Sequence, residues 1–551
     1  MAEVHGGHLV VEALKREGVT NVFTLSGGHI DKIYDACIDG GISVIDVRHE
    51  QAAAFMAIGW SMATGNLGVC LATAGPGVAN AITGVMDAHA SHIPMLIIGG
   101  RSPRKENDLG ALQDLDQLAL LRSITKAAYI CNDTHRIPEY ISTVFRNALS
   151  DRPGPVYLEI PVDVLGNKLD MASVTFPDTA KPRYKPAGDP DAIAAAAKLL
   201  KNAKKPLIIG GGGVRWGDAG KALGELVDGA NIPFMLFNEA RGVVPDSHKW
   251  SLWSGGLMGL TVAASQADVI LVLGLRMTWL SSYGQIFANA KIIRVDICGS
   301  EVGKNVPHEI GIVGDAGQVL KGIAEKIGKC DFSEWATEAV NTGVAMMTEE
   351  NAHKEQTDGP IHPVKAVSEV YNVFGEEAVY ATDGGDVSYF TAVHLRGGGP
   401  GRFLSNVGNL MGCLGSGIPF GIVGKLAHPD RQSVVVTGDG SFGLNGMEIE
   451  TALRHNIPVV IVVINDQAWG MVKHGQELQY NRVVGTDLGP VRYDLMAEGL
   501  GAHGEYVTEV KDIVPALERA KKSGKPAVVN IITDPTVTSP ITHIFVAALN
   551  V

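Results

Sequence analysis

Apolar runs of strand length alternate with stretches of helical spacing along the whole chain, and nearly every run stops at a glycine-rich or polar break. In the carboxyl-terminal third, Val434, Val435, Val436 and Thr437 read as a parallel strand buried on both faces. It ends in Gly438-Asp439-Gly440-Ser441, a tight turn bearing one carboxylate. Met447, Ile449, Ala452 and Leu453 then have helical spacing, and a second strand over 459–464 stops at Asn465-Asp466. Near the amino terminus, Val10, Ala13 and Leu14 mark a helix that leads to a strand over 21–25 ending in Ser26-Gly27-Gly28-His29. A helix over 30–38, a strand over 43–47 ending in Arg48-His49-Glu50, an alanine-rich helix over 51–64 and a strand over 68–73 ending in Ala74-Gly75-Pro76-Gly77 follow. Successive strands that deliver polar ends to one sheet edge are how a doubly wound fold assembles a site.

The same punctuation divides the chain into three α/β domains, each expected to be a doubly wound parallel sheet: 1–185, 190–330 and 360–551. The polar, proline-containing stretch 176–190 is a linker, and 331–358 is a helical connector. The middle domain starts with a strand over 205–209 into the run Gly210 to Gly213, with further strands over 232–237, 269–273 and 291–295, the last ending at Asp296. A glycine run with a downstream acid suggests a nucleotide site, but it is not a G-x-G-x-x-G and Asp296 lies too far along, so a purely structural domain is the alternative. The apolar tail 541–551 suggests a lid or a subunit contact.

At 551 residues, with 46% apolar and 19% charged residues, the chain can bury several cores. A net charge of −13 argues against nucleic-acid and anionic-membrane partners. No apolar run reaches the roughly 18 residues a spanning helix needs, and the first residues lack a signal-like core, so a cytoplasmic protein is expected. Six cysteines without C-x-x-C spacing fit reduced structural thiols, and the 17 histidines show no ligand spacing.

Carboxylate and amide groups at the ends of neighbouring strands suit a hard cation, and glycines beside a helix start let backbone N–H groups approach a phosphate. Alone, Gly438-Asp439-Gly440 is a turn signature, Glu50 a solvated loop residue and Gln113 a loop or capping residue. Together they carry more. The order GDGS, helix, strand, Asn-Asp resembles the diphosphate-binding motif of thiamine diphosphate (ThDP) enzymes, and RHEQAAAFMA resembles their pyrimidine-side motif. The resemblance covers nearly the whole chain and is to the acetohydroxyacid synthase and pyruvate oxidase branch.

The resemblance implies ThDP and Mg²⁺, with Asp439, Asp466 and the backbone carbonyl of Ala468 as metal ligands and Asn465 as the alternative to Asp466. It makes Glu50 the catalytic glutamate, whose carboxyl bonds N1′ of the aminopyrimidine and so promotes loss of the thiazolium C2 proton. It assigns Thr73, Gly77, Gly438, Gly440, Ser441, Trp469, Gly470 and Met471 to the cofactor, and Leu414, in GCLGSG, to propping the cofactor bent. Gly28, His29, Gln113 and Tyr389 would line the substrate end, with Gly28, His29 and Gln113 acting in catalysis, and Glu448 would sit near the diphosphate loop.

Within that branch, SGGHIDKIYDACIDGGISVIDVRHEQAAA is most similar to benzaldehyde lyases, whereas LRMTWLSSYG and RVDICGSEVGKN are closer to 2-hydroxyacyl-CoA lyases and oxalyl-CoA decarboxylases. An active-site histidine of the former falls on Gly408 and a pocket tryptophan on Val162, which puts an aromatic aldehyde pocket in doubt. Leu112-Gln113-Asp114 stands where acetohydroxyacid synthases carry Phe-Gln-Glu, and no flavin region is evident. The expected function is therefore a carbon–carbon lyase or carboligase acting on an aldehyde, a 2-hydroxy ketone or an acyl-CoA. A 2-oxo acid decarboxylase or acetolactate synthase-like enzyme is the alternative, and a non-catalytic nucleotide-binding protein the second. The resemblance further implies a homodimer or homotetramer with active sites at the subunit interface, and allows ADP in the middle domain.

Overall fold

The computed structural model describes residues 3–180, 184–406 and 410–549. Three parallel sheets carry the fold, and in each the strand order reverses at a switch point beside the first strand laid down; in the first and third sheets the last two strands are also exchanged at the far edge. In the first sheet the order is Ser43–Asp46, Asn21–Thr24, Gly68–Ala72, Met95–Arg101, Pro155–Pro161, Ala127–Ile130. In the third it is Phe403–Ser405, Val379–Asp383, Ser433–Gly438, Val460–Asn465, Ala527–Ile532, His503–Val507. The middle sheet has five strands, in the order Phe234–Leu236, Pro206–Gly210, Val269–Leu273, Lys291–Asp296, Ile310–Val313. Every ladder in these sheets is parallel, so the strands are buried on both faces and read as unbroken apolar runs such as Val460 to Ile464. The helix Glu50–Thr64 is buried almost all round, which accounts for its alanine-rich rather than amphipathic sequence.

Two points of local structure differ from the sequence reading. The segment after the strand Ser433–Gly438 is no free turn: the helix Asp439–Asn445 begins at Asp439, directly at the strand end. A short antiparallel pair, Glu3–His5 with Lys168–Asp170, lies outside the alternating pattern because three-residue strands are too brief to show a period. Gly408 falls outside the described residues.

The chain forms two compact units: Met1–Arg183 with Asn409–Val423 and Asn445–His455, and Tyr184–Gly408 with Gly424–Leu444 and Asn456–Val551. Within the first, Asn445 Nδ2 donates to the Gly415 carbonyl at 2.7 Å and to Gln51 Oε1 at 3.3 Å. Arg48 N donates to the buried Glu448 carboxylate at 3.0 Å, so these later segments are stitched to the strand end that precedes Glu50. Within the second, the middle and third sheets share a buried ion pair. Arg241, 3% exposed, lies between the Trp253 and Phe403 rings, with its guanidinium carbon 3.9 and 3.8 Å from their centroids. It donates to Asp246 at 2.8 Å and to the Leu395 carbonyl at 2.8 Å, and Asp246 also accepts from Gly397 N at 2.7 Å. Burial lowers the Arg241 pKa to about 10, still charged at neutral pH.

Removing one partner of such a pair strands a buried charge. Asp246→Ala is expected to lower folding stability by about 3–5 kcal/mol, and the double change with Arg241→Met to recover much of that loss, as read by denaturant unfolding. Equal losses in the single and double variants would contradict it.

Candidate active site

In the first unit the switch point lies between the strands Asn21–Thr24 and Gly68–Ala72, and their two carboxyl ends meet there. Gly28–Ile30 forms a single tight turn, and His29 Nδ1 lies 3.1 Å from Thr73 Oγ1. The turn fits only because its neighbours are small: a Cβ on Gly27 would sit 2.4 Å from Thr73 Cβ, and one on Gly100 would sit 2.5 Å from His29 Cβ. Glu50 is the first residue of its helix, which His49 caps by accepting from Gln51 N, and it is 4% exposed. The N-terminal end of a helix favours a carboxylate. Asn80 Nδ2 donates to Glu50 Oε2 at 3.0 Å, and a Cβ on Gly77 would come within 3.4 Å of Oε1. Glu50, Thr73, Gly77, His29 and Gly28 are thus gathered at one sheet edge.

Gln113 arrives from the loop between Met95–Arg101 and Gln117–Arg122. Its backbone is left-handed at φ 59°, a conformation that a non-glycine residue adopts at a cost. Its carbonyl oxygen and Cβ lie 2.8 and 3.0 Å from where a Gly75 Cβ would be. Gly75 itself has φ 64° and caps the helix Pro76–Ser91, so glycine is required there twice over. Leu414 is half-buried, and the carbonyl next to it, on Gly415, is the one held by Asn445.

In the second unit the switch point lies between Val379–Asp383 and Ser433–Gly438. Asp439 is 2% exposed, and its Oδ2 is buried without a hydrogen-bond donor among the described residues. Asp466 lies against it. Burial, and then the charge of Asp466, push the Asp439 carboxyl far above the usual range, and burial pushes Asp466 up as well. A buried carboxylate with an unpartnered oxygen, set against a second, half-buried one, suits a cation. Asp466 Oδ1 accepts from Ala468 N at 3.2 Å, and Oδ2 would be 2.2 Å from a Cβ on Gly470, so only glycine fits at 470. Gly440 packs under the Trp469 ring, where a Cβ would meet ring carbons at 2.6 Å, and a Cβ on Gly385 would meet Met471 at 2.8 Å.

Asn465 is committed elsewhere: its Nδ2 donates to Asn530 Oδ1 and its Oδ1 accepts from Gln467 N, both at 2.9 Å, and it is fully buried. That leaves Asp466 to face Asp439. Two adjacent carboxylates, one of them with an unpartnered oxygen, are a set of hard oxygen donors that fits Mg²⁺. Tyr389, by contrast, is 4% exposed and donates to Glu350 Oε2 at 2.8 Å, packed edge-on against Phe390.

The sequence reading missed three residues beside these groups. Asn80 holds Glu50, and Gln117 sits under the Gln113 loop. Asp386 accepts from His474 Nδ1 at 3.0 Å and Ser539 Oγ at 2.5 Å; burial works against its charge, but these bonds keep its carboxyl below the usual range. Asp386 could have been read from Asp383-Gly384-Gly385-Asp386 at a strand end; Asn80 and Gln117, inside or at the start of helices, leave no such mark.

In the middle sheet the glycine run closes on its own backbone: Gly213 N donates to the Gly274 carbonyl at 3.1 Å, and a Cβ on Gly211 would meet that carbonyl at 2.8 Å. A Cβ on Gly212 would also lie 2.8 Å from Glu239 Oε2.

Comparison with known proteins finds matches along the whole length of the chain. Residues 4–120 match the family profile "Thiamine pyrophosphate enzyme, N-terminal TPP binding domain", 193–323 the corresponding central domain and 383–531 the C-terminal TPP binding domain. The chain is similar to the acetolactate synthase large subunit IlvG of Mycobacterium tuberculosis, 35% identical over 545 residues, covering 98% of this chain and 97% of that one. It is 33% identical over 560 residues to a probable acetolactate synthase large subunit of Methanococcus aeolicus, covering 97% and 92%. It is also 28% identical over 562 residues to 2-hydroxyacyl-CoA lyase 1 of Mus musculus, covering 97% and 95%. The ADP expectation gains nothing from these matches, and no helix among the described residues is long and apolar enough to cross a membrane. On the full-length identity and the three matched domains, the chain belongs to the family of thiamine pyrophosphate enzymes.

Proposed function

We propose that the protein is a ThDP- and Mg²⁺-dependent carboligase of the acetolactate synthase type, acting on pyruvate or a related 2-oxo acid. The observation that carries the cofactor reading is the pairing of buried Asp439, with its bare Oδ2, and half-buried Asp466. The observation that favours a 2-oxo acid is full-length similarity at 35% to acetolactate synthases against 28% to the lyase. This reverses the order expected from the sequence alone, where the lyase stood first.

Asp439, Asp466 and the Ala468 carbonyl would hold the cation, and the cation would fix the diphosphate. Gly440 and Gly470, which tolerate no side chain, keep that floor flat. When bound, ThDP supplies an electron sink for making and breaking bonds at a carbonyl carbon. Glu50 holds a proton at N1′ of the aminopyrimidine, with Asn80 fixing the carboxyl's direction. His29, braced by Thr73, and Gln113 orient the substrate carbonyl from the same sheet edge. Glu50 and Thr73 are buried, which strengthens their hydrogen bonds. The lyase reading keeps one support, the full-length match to 2-hydroxyacyl-CoA lyase 1. We further propose that a homodimer or homotetramer completes the site.

Incubated with ThDP, Mg²⁺ and pyruvate, the protein is expected to release CO₂ and form acetolactate. Cleavage of benzoin or a 2-hydroxyacyl-CoA with no consumption of pyruvate would overturn the assignment in favour of the lyase. Glu50→Gln is expected to bind ThDP about as well as the unaltered chain and to slow deuterium exchange at C2 by about 10²-fold or more, followed by NMR. Exchange at the unaltered rate would remove Glu50 from its role.

A further inference from the structure

A second layer of buried polar groups lies beneath the Glu50 edge of the first sheet, centred on Gln117. This residue opens the helix Gln117–Arg122 and is 1% exposed. Its Oε1 accepts from Gly75 N at 2.7 Å. Its Nε2 donates to the Gly100 carbonyl at 3.0 Å and to Glu159 Oε2 at 2.9 Å, and lies 3.1 Å from the Tyr157 hydroxyl. Glu159 is fully buried and is held in turn by Tyr157, which donates at 2.9 Å, and by Arg101 Nη1 at 2.7 Å. Both the donor and the acceptor end of the amide are engaged, which fixes its orientation.

What the amide grips is specific. Gly75 is the cap of the helix whose Asn80 and Gly77 flank Glu50, and Gly75 is also the residue on which Gln113 rests. Gln117 opens the helix that ends this loop, four residues after Gln113. The loop is otherwise held by Ser102 Oγ donating to the Leu112 carbonyl at 3.0 Å, by local turns such as Asp114 N to the Ala111 carbonyl and, at its start, by Arg104 pairing with Asp163. Leu109 and Leu112 are 75% and 76% exposed, so the loop has little apolar anchoring of its own. One side-chain bond therefore ties the substrate loop to the helix that supports the glutamate.

We propose that Gln117 is a positioning residue: through the Gly75 amide it holds Gln113 in register with Glu50, and so sets substrate affinity without taking part in proton transfer. This rests on the reading that Glu50 and Gln113 serve ThDP and its substrate. The loss of one bond at Gly75 should free the loop while leaving the Asn80–Glu50 contact in place.

The test compares Gln117→Leu with Tyr157→Phe in the full-length protein loaded with ThDP and Mg²⁺. Tyr157→Phe loosens the same buried cluster but leaves the Gln117–Gly75 bond intact, so it controls for a merely structural effect. Three readouts are taken: amide hydrogen exchange of residues 107–116, deuterium exchange at C2 of ThDP, and KM and kcat for pyruvate. Gln117→Leu is expected to speed amide exchange in the loop about tenfold or more and to raise KM much more than it lowers kcat, with C2 exchange within about threefold of the unaltered chain. Tyr157→Phe is expected to leave all three nearly unchanged. The proposal is overturned if the two variants behave alike, if the loop exchanges at the unaltered rate in Gln117→Leu, or if C2 exchange falls in step with pyruvate turnover. Failure of the unaltered chain to consume pyruvate would overturn the donor assigned above, and the two exchange readouts would still decide the role of Gln117.

Discussion

Two carboxylates side by side, the buried Asp439 and the half-buried Asp466, impose the constraint from which the rest of the site follows. Like charges in a poorly solvated place repel, and each raises the free energy of the other's ionised form. A fold keeps such a pair only where something brings compensation, and hard oxygen donors with one bare lone-pair site are compensated by a divalent cation. The backbone around them is arranged to allow the approach. Gly470 yields to Asp466, Gly440 to Trp469, and Asn465 turns inward to Asn530 so that only its neighbour faces the site.

Both halves of the machinery use the same architectural device. In the first and third sheets the polar groups stand where strand order reverses, because loops leaving the two central strands diverge there and open a crevice at the carboxyl edge. The middle sheet has the same reversal, but Gly211 and Gly213 close against Gly274 and fill it. One topology thus yields two candidate half-sites and one structural core, and the difference lies in the side chains and in how closely the loops pack.

Much of this was legible in the sequence. Parallel strands buried on both faces announce themselves as β-branched runs, and their carboxyl ends place Glu50, Asp439 and Asp466 without coordinates. The choice between Asn465 and Asp466 was not legible, because it depends on Asn530, 65 residues away, taking the Asn465 amide. Gln117 was hidden for the same reason: its partners Gly75, Gly100 and Glu159 are distant in sequence, and a glutamine opening a helix looks like any polar helix start. The helical start at Asp439 also escaped notice, since Gly438 and Gly440 are turn formers locally and the packing of Trp469 overrides them. The sequence reading put the lyases first on short matching peptides, two of them in the middle domain, whereas identity over the whole chain is higher to the synthases.

The central claim is that the Asp439–Asp466 pair binds a cation and, through it, the diphosphate. Calorimetric titration of ThDP into the protein with Mg²⁺ and with EDTA, repeated on Asp439→Asn, tests it most directly. The account predicts tight binding that requires Mg²⁺ in the unaltered chain and is lost in the variant. Equal affinity with EDTA, or an Asp439→Asn protein that binds as tightly as the original, would contradict it.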